Sequence, residues 1–248
     1  MVRAVITMLA SIACGAAHGA VAHAQPTGNA GAGAGSIKGT VIFEGEAPER
    51  ARLRRDTDPL CAKSEAFSED VIVTNGKLKG VLVRIKNGAL PAPKTVPPPA
   101  VIDQKDCTYA PHVVGIVVGQ KLAVRNSDPA FHNVHGSIAG KTTWNKPSAA
   151  RDPDLVLDGS ARAGDVIDVK CDVHPWMHAY AVVQDHTAFA VTDERGAFEL
   201  AGLPPGSYTL EAWHPTLGTR TLDVKIAGGG AKAAVTARIS YKRSELQP

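Results

Sequence analysis

The seven residues Cys171-Asp172-Val173-His174-Pro175-Trp176-Met177 bring a thiolate, an imidazole and a thioether close together, spaced Cys-x2-His-x2-Met. Two soft donors and one intermediate donor make a set that suits copper. One cysteine sulfur, two imidazoles and a weak axial thioether form a centre that exchanges single electrons. The heptapeptide holds only one imidazole, so the second must come from elsewhere. The stretch Phe131-His132-Asn133-Val134-His135 offers two candidates. In extended chain His132 and His135 face opposite ways, so only one can reach the sulfur. Zinc would accept the cysteine and histidines but gains little from a thioether. A binuclear copper centre would need a second cysteine in the loop, which has one.

The elements that position these donors read as strands. In residues 166–171, Ile167, Val169 and Cys171 share one face, and Val166, Asp168 and Lys170 share the other. The cysteine therefore lies on the apolar, inward side. A tight loop at that strand's end can fold His174 back beside the sulfur, and Pro175 stiffens the loop. The alternating segment 121–125 ends at Asn126-Ser127-Asp128-Pro129, just before the His132 stretch.

No segment sustains a helical period, which makes the class all-β. The 24 Gly, 17 Pro and 5% aromatic content agree with strands and turns. A length of 248 residues suits one large all-β domain or two small ones. A net charge of +3, spread along the chain, implies no nucleic-acid partner. Arg3, the short apolar run 4–13 and Ala22-His23-Ala24 read as a signal peptide cleaved after Ala24. An alternative is lipid attachment at Cys14, although Ser11 stands where that motif has leucine. No later stretch is long and apolar enough for a membrane span. The expected product is periplasmic or secreted. Cys61, Cys107 and Cys171 remain after cleavage. If metal holds Cys171 as a thiolate, Cys61 and Cys107 are the natural disulfide in an oxidising compartment.

Along the chain, 25–35 reads as a flexible linker and 37–43 as a first strand. Residues 46–55, with four arginines, read as a solvated surface loop. Strands at 71–73 and 81–85 are expected to pair across Asn75-Gly76. Five prolines in 90–100 mark a loop or boundary. Further strands are expected at 113–118, 142–144, 154–157 and 179–183. A hairpin over 189–200 would turn at 193–196, followed by strands at 208–213, 220–226 and 233–239. His112, His178, His186 and His214 read as surface or structural residues. Trp176 and Pro175 suit either an apolar rim for docking or a cover over the core.

The two metal-binding stretches resemble those of the cupredoxins, the small blue copper proteins. The likeness is closest to amicyanin-like members, whose loop reads Cys-x-x-His-Pro-aromatic-Met and whose first ligand lies in Pro-His-Asn-Val-His. Phe131 stands here where proline is common. The resemblance implies His132, Cys171, His174 and Met177 as ligands of one mononuclear copper. It also implies Asn133 beside them, hydrogen-bonding the ligand groups, and electron transfer through an exposed edge of His174. Residues 191–208, with Val191-Thr192-Asp193, Gly196, Phe198, Leu200, Gly202-Leu203-Pro204-Pro205-Gly206 and Tyr208, resemble the carboxypeptidase regulatory-like domain, a transthyretin-like sandwich. Gly39-Thr40-Val41 fits the start of such a domain. The expected organisation is a signal peptide 1–24, a linker 25–35, a discontinuous regulatory-like β-sandwich over 36–98 and 187–241, and a Greek-key cupredoxin domain 99–186 inserted between. The expected function is an exported type 1 copper protein that passes single electrons to a redox partner protein. A copper chaperone or storage protein and a metal-free envelope-binding sandwich are the alternatives. No carboxylate pair, Ser-His-Asp set or phosphate loop points to an enzyme.

Overall fold

A computed structural model describes residues 35–87, 90–159, 161–228 and 234–246. The expected signal peptide, its cleavage point after Ala24, Cys14 and the linker up to residue 34 lie outside the described residues. Gly35, assigned to the linker from sequence, already begins the strand Gly35–Glu44.

The chain is all-β. Its strands form four sheets, and only two 3-10 turns, Cys61–Lys63 and Arg243–Glu245, interrupt them among the described residues. One sheet is built on Gly35–Glu44, which pairs antiparallel with Ala197–Leu203 and parallel with Ala234–Lys242. A second runs Phe189–Val191, Leu82–Asn87, Gly206–His214, Gly218–Ile226. Between these two lies a core containing Ile37, Val41, Val83, Leu200, Leu210 and Ile239, drawn from both ends of the chain. A third sheet runs Lys141–Ser148, His132–Ile138, Val166–Lys170, His178–Gln184, Val113–Val117. The fourth runs Leu155–Leu157, Leu122–Asn126, Ala100–Lys105, Thr108–Ala110. Their shared core contains Ile102, Leu122, Val134, Ile167, Val169 and Cys171, all from the middle of the chain, joined by Cys61 from before it.

Two expected hairpins pair differently. Asn75 and Gly76 do turn the chain, with φ of 50° and 71°, the left-handed values such a turn needs. The turn joins Val73–Thr74 to Lys77–Leu78, and Leu82–Asn87 crosses to the opposite sheet. Likewise Phe189–Val191 pairs with Leu82–Asn87, whereas Ala197–Leu203 pairs with Gly35–Glu44. The turn at 193–196 is thus a corner between sheets. Asp193 fixes it by accepting the N–H groups of Arg195 and Ala197 on Oδ1. Gly196 (φ 65°) is required there, since a Cβ would come within 2.4 Å of the Val41 carbonyl oxygen. In both cases the turn chemistry was legible, but burial of each strand's apolar face decided its partner.

Residues 46–55 are largely exposed, as expected of a solvated loop; the chain becomes a cover from Arg55 onward. After the first strand the chain runs across the third and fourth sheets with one 3-10 turn and one bridge, Arg52 to Phe67. Arg55 is only 4% exposed. Its guanidinium donates to the Asp106 carbonyl and to Ser64 Oγ. Burying a charged group this way requires such partners. The two pairs of sheets meet through Leu82, Val113, Val117, Val182 and Phe189.

His214, from the second sheet, is 2% exposed, and its Nδ1 accepts the N–H groups of Thr216 and Leu217. Burial, then the nearby positive charge of His112, lowers its pKa to about 3. An unfolded histidine titrates near ~6.5. Stability from this neutral imidazole is therefore whole above that value and is lost as the pH falls through the window towards about 3. Urea unfolding between pH 6.5 and 4 should show a shallower loss of stability in His214→Asn than in the native chain, and equal slopes would contradict this.

Candidate metal centre

The strand Val166–Lys170 lies antiparallel beside His132–Ile138, with Lys170 opposite His135. This register carries Cys171 and the loop after it alongside His132 and Asn133. Tyr109, 1% exposed, sits beneath both strands. Its hydroxyl is 3.0 Å from the Asn133 carbonyl oxygen and 3.2 Å from that of Lys170, which fixes the separation of the two strand ends. Asn133 ties the loop from above: its Oδ1 accepts the Asp172 N–H, and its Nδ2 donates to Asp172 Oδ2. The loop also closes on itself, Met177 N–H donating to the His174 carbonyl at 2.9 Å.

These constraints bring His132, Cys171 and His174 together, with one donor atom from each lying within 4.8 Å of the others. Cys171 Sγ is 3.7 Å from His174 Nδ1 and 4.0 Å from His132 Nδ1. The two Nδ1 atoms face each other at 2.9 Å. All three residues are at most 2% exposed. Met177 is fully buried in the same core. His135 points the other way, its Nδ1 bonding Asp172 Oδ1 and its Nε2 lying 2.8 Å from Thr142 Oγ1.

The outer nitrogen of each buried imidazole is bonded to a carboxylate. His132 Nε2 donates to Asp128 Oδ2 at 2.9 Å, and His174 Nε2 donates to Asp58 Oδ2 at 3.0 Å. Asp128 does more. It also accepts the N–H groups of Asp106 and Cys107 at 2.7 and 2.9 Å. Those two residues form the turn between Ala100–Lys105 and Thr108–Ala110, and both have positive φ, 54° and 53°. Non-glycine residues in that region cost ~1–2 kcal/mol each. The carboxylate offsets that cost. The same turn carries Cys107, which is disulfide-bonded to Cys61 on the covering segment. One aspartate thus braces a histidine and the anchor of the cover.

Electrostatics favour a thiolate. Burial alone would push the Cys171 thiol up, but the hydrogen bond from His132 and the N–H groups of Asn133, His174 and Val173 outweigh it and hold the thiol below its ordinary range. Burial opposes charge on His132 too, yet Asp128 and Cys171 raise it to about 9. For Asp128 itself, burial is likewise outweighed, by His132 and the Cys107 and Asp106 N–H groups, so it stays ionised. A cysteine whose thiol is biased towards ionisation and two oriented imidazole rings, His132 giving up its Nδ1 proton on binding, are a donor set that fits copper.

One expectation fails. The resemblance implied an exposed His174 edge, but His174 is 1% exposed. The covering segment places Asp58 on its Nε2, with Cys61 Sγ 3.7 Å away. Trp176 packs on the same imidazole, ring centres 5.1 Å apart, and donates its Nε1–H to the Cys107 carbonyl. Trp176 and Pro175 line a pocket of about 260 Å³ with Tyr109, His112 and His178. Sequence reasoning missed Asp58 and Asp128. Asp128 stands four residues before His132 in a recognisable turn, a usable signal. Asp58 carried none except its closeness to Cys61.

No protein-family model and no curated protein sequence matches the chain. Among solved structures, a purple cupredoxin from Nitrosopumilus maritimus aligns at 23% identity and TM-score 0.28, over 34% of this chain and 98% of that one. A Cu(I) form of an amicyanin mutant aligns at 20% identity and TM-score 0.30, over 41% of this chain and 98% of that one. An oxidised amicyanin mutant aligns at 22% identity and TM-score 0.30, with the same coverage.

Asp128→Ala leaves two turn N–H groups and an imidazole without their acceptor. Each buried unsatisfied group costs ~1–3 kcal/mol. The metal-free variant should lose about 2–4 kcal/mol in urea unfolding, and a loss below 0.5 kcal/mol, typical of surface changes at roughly that size, would contradict the bracing role.

Proposed function

We propose that the chain is an exported protein that binds one copper ion through His132 Nδ1, Cys171 Sγ and His174 Nδ1, with the Met177 thioether as a weak fourth donor, and that it transfers single electrons. The observation that carries this reading is the convergence of three buried donors within 4.8 Å. The two imidazoles are already oriented by carboxylates. Copper would supply a one-electron couple. The residues supply the rest. Cys171 is held as a thiolate, the carboxylates fix ring orientation, and the closed loop limits movement when the charge at the centre changes. Burial excludes water and competing ligands.

Domain organisation belongs to the same proposal. Residues 99–186 form the copper domain, inserted between 36–98 and 187–241, which together form the second sandwich. The support is that one core draws on residues from both ends of the chain and the other almost wholly on the middle. Export is supported by the Cys61–Cys107 disulfide, a bond that persists in oxidising compartments. Among the described residues no helix is long and apolar enough to cross a membrane. The electron partner is a redox protein, and the second sandwich has a structural role.

A second reading, copper storage or delivery, is favoured by the burial of His174 beneath Asp58 and Cys61. The electron self-exchange rate of the copper-loaded protein separates the two. Fast exchange supports electron transfer, and exchange too slow to measure supports storage.

Purified protein given Cu(II) should develop an intense thiolate-to-copper absorption in the visible range. Cys171→Ser should abolish it, and His135→Ala should keep it. A colourless native protein sinks the reading. Asp58→Asn and Asp128→Asn should each weaken copper affinity by roughly 10–100-fold, the usual effect of losing a group that orients a metal-binding imidazole.

A further inference from the structure

The disulfide Cys61–Cys107 does not lie remote from the donor triangle. Cys61 Sγ is 3.7 Å from the outer nitrogen of His174. Donor atoms of Asp58, Cys61 and His174 lie within 4.8 Å of one another, and so do those of Cys107, Asp128 and His132. Both sulfurs therefore sit against the far sides of the two imidazoles, each beside a carboxylate. Among the described residues these two clusters and the Cys171 centre form one continuous patch of sulfur, nitrogen and oxygen donors.

We propose that this disulfide is a reducible gate to a second copper site. Opened, its two thiolates hold one additional Cu(I), flanked by Asp58 and Asp128. Soft thiolates select Cu(I), which carboxylates alone do not. Charge at the site suits a cation once the sulfurs bind as thiolates. Two thiolates added beside two carboxylates would crowd four negative charges, and a bound cation relieves that repulsion. The Arg55 guanidinium, bonded to the Asp106 carbonyl next to Cys107, offsets part of the charge.

The opening step is balanced by a dithiol reductant. Its two electrons break the Sγ–Sγ bond, its two protons pass to the new thiols, and it leaves as its own cyclic disulfide. Binding of Cu(I) then releases those protons. Although the disulfide is buried, the segment over it has no strand ladder beyond the single Arg52–Phe67 bridge, and Leu60, next to Cys61, is 39% exposed. Reaching the sulfurs requires that segment to lift, which breaks the Asp58–His174 and Arg55–Asp106 bonds, so reduction needs local opening of the cover and is slower than at an exposed disulfide.

Copper as the metal rests on the function proposed above, but the change in metal count does not. The test uses the exported full chain. One sample is reduced with dithiothreitol, which is then removed anaerobically. Both samples are titrated with Cu(I) against a bathocuproine chelator, and free thiols are counted after unfolding. The reduced protein should show two more thiols and bind one more Cu(I) than the oxidised protein. In Cys61→Ser/Cys107→Ser the count should be the same with and without reductant. In Cys171→Ser the extra ion should still appear on reduction, which separates this site from the first. A disulfide that stays closed in the folded protein, or an unchanged copper count after reduction, overturns the proposal. An oxidised protein that binds no copper while reduction still adds one would overturn the first centre and leave the second standing.

Discussion

Two carboxylate–imidazole hydrogen bonds govern the centre. An imidazole on a flexible side chain can turn either nitrogen towards a metal. Asp128 and Asp58 remove that choice for His132 and His174 by occupying Nε2 of each. Both Nδ1 atoms are then aimed at the Cys171 sulfur. The Cys171 thiol in turn is held below its ordinary range by His132 and by three backbone N–H groups. Charge compensation runs through the whole set, so none of these buried groups stands uncompensated.

The braces come from different parts of the fold. Asp128 belongs to the turn before the His132 strand and also holds the strained turn at Asp106 and Cys107. Asp58 belongs to a segment that leaves the first pair of sheets and covers the second. The disulfide fastens that segment to the strained turn, so the cover, the turn and both histidines form one mechanical unit. The surface of the donor site is thus built partly by chain that begins in the other sandwich, and His174 is sealed where the resemblance implied exposure.

Much of this was legible in the sequence, and the limits have physical reasons. Strand parity put Cys171 inward and separated His132 from His135, because both are local consequences of the extended backbone. Cysteine counting gave the Cys61–Cys107 bond. The strand pairings at Asn75-Gly76 and at 193–196 were misread because a turn fixes only its own geometry, while apolar burial selects the sheet. Residues 46–55 are largely exposed, as their charge suggests, and only Arg55 at their end is buried. Nothing in the local sequence says that a carbonyl from residue 106 will meet it. Asp58 was invisible for the same reason: its role depends on a contact with His174, 116 residues away.

On the function proposed above, the Cys171 sulfur and the two braced imidazoles together hold copper. X-ray absorption at the copper edge of the loaded protein tests it most directly. The nearest atoms to the metal should be one thiolate sulfur and two imidazole nitrogens, with a weaker, longer sulfur from Met177. A shell of oxygen and nitrogen alone, with no short sulfur, would contradict it.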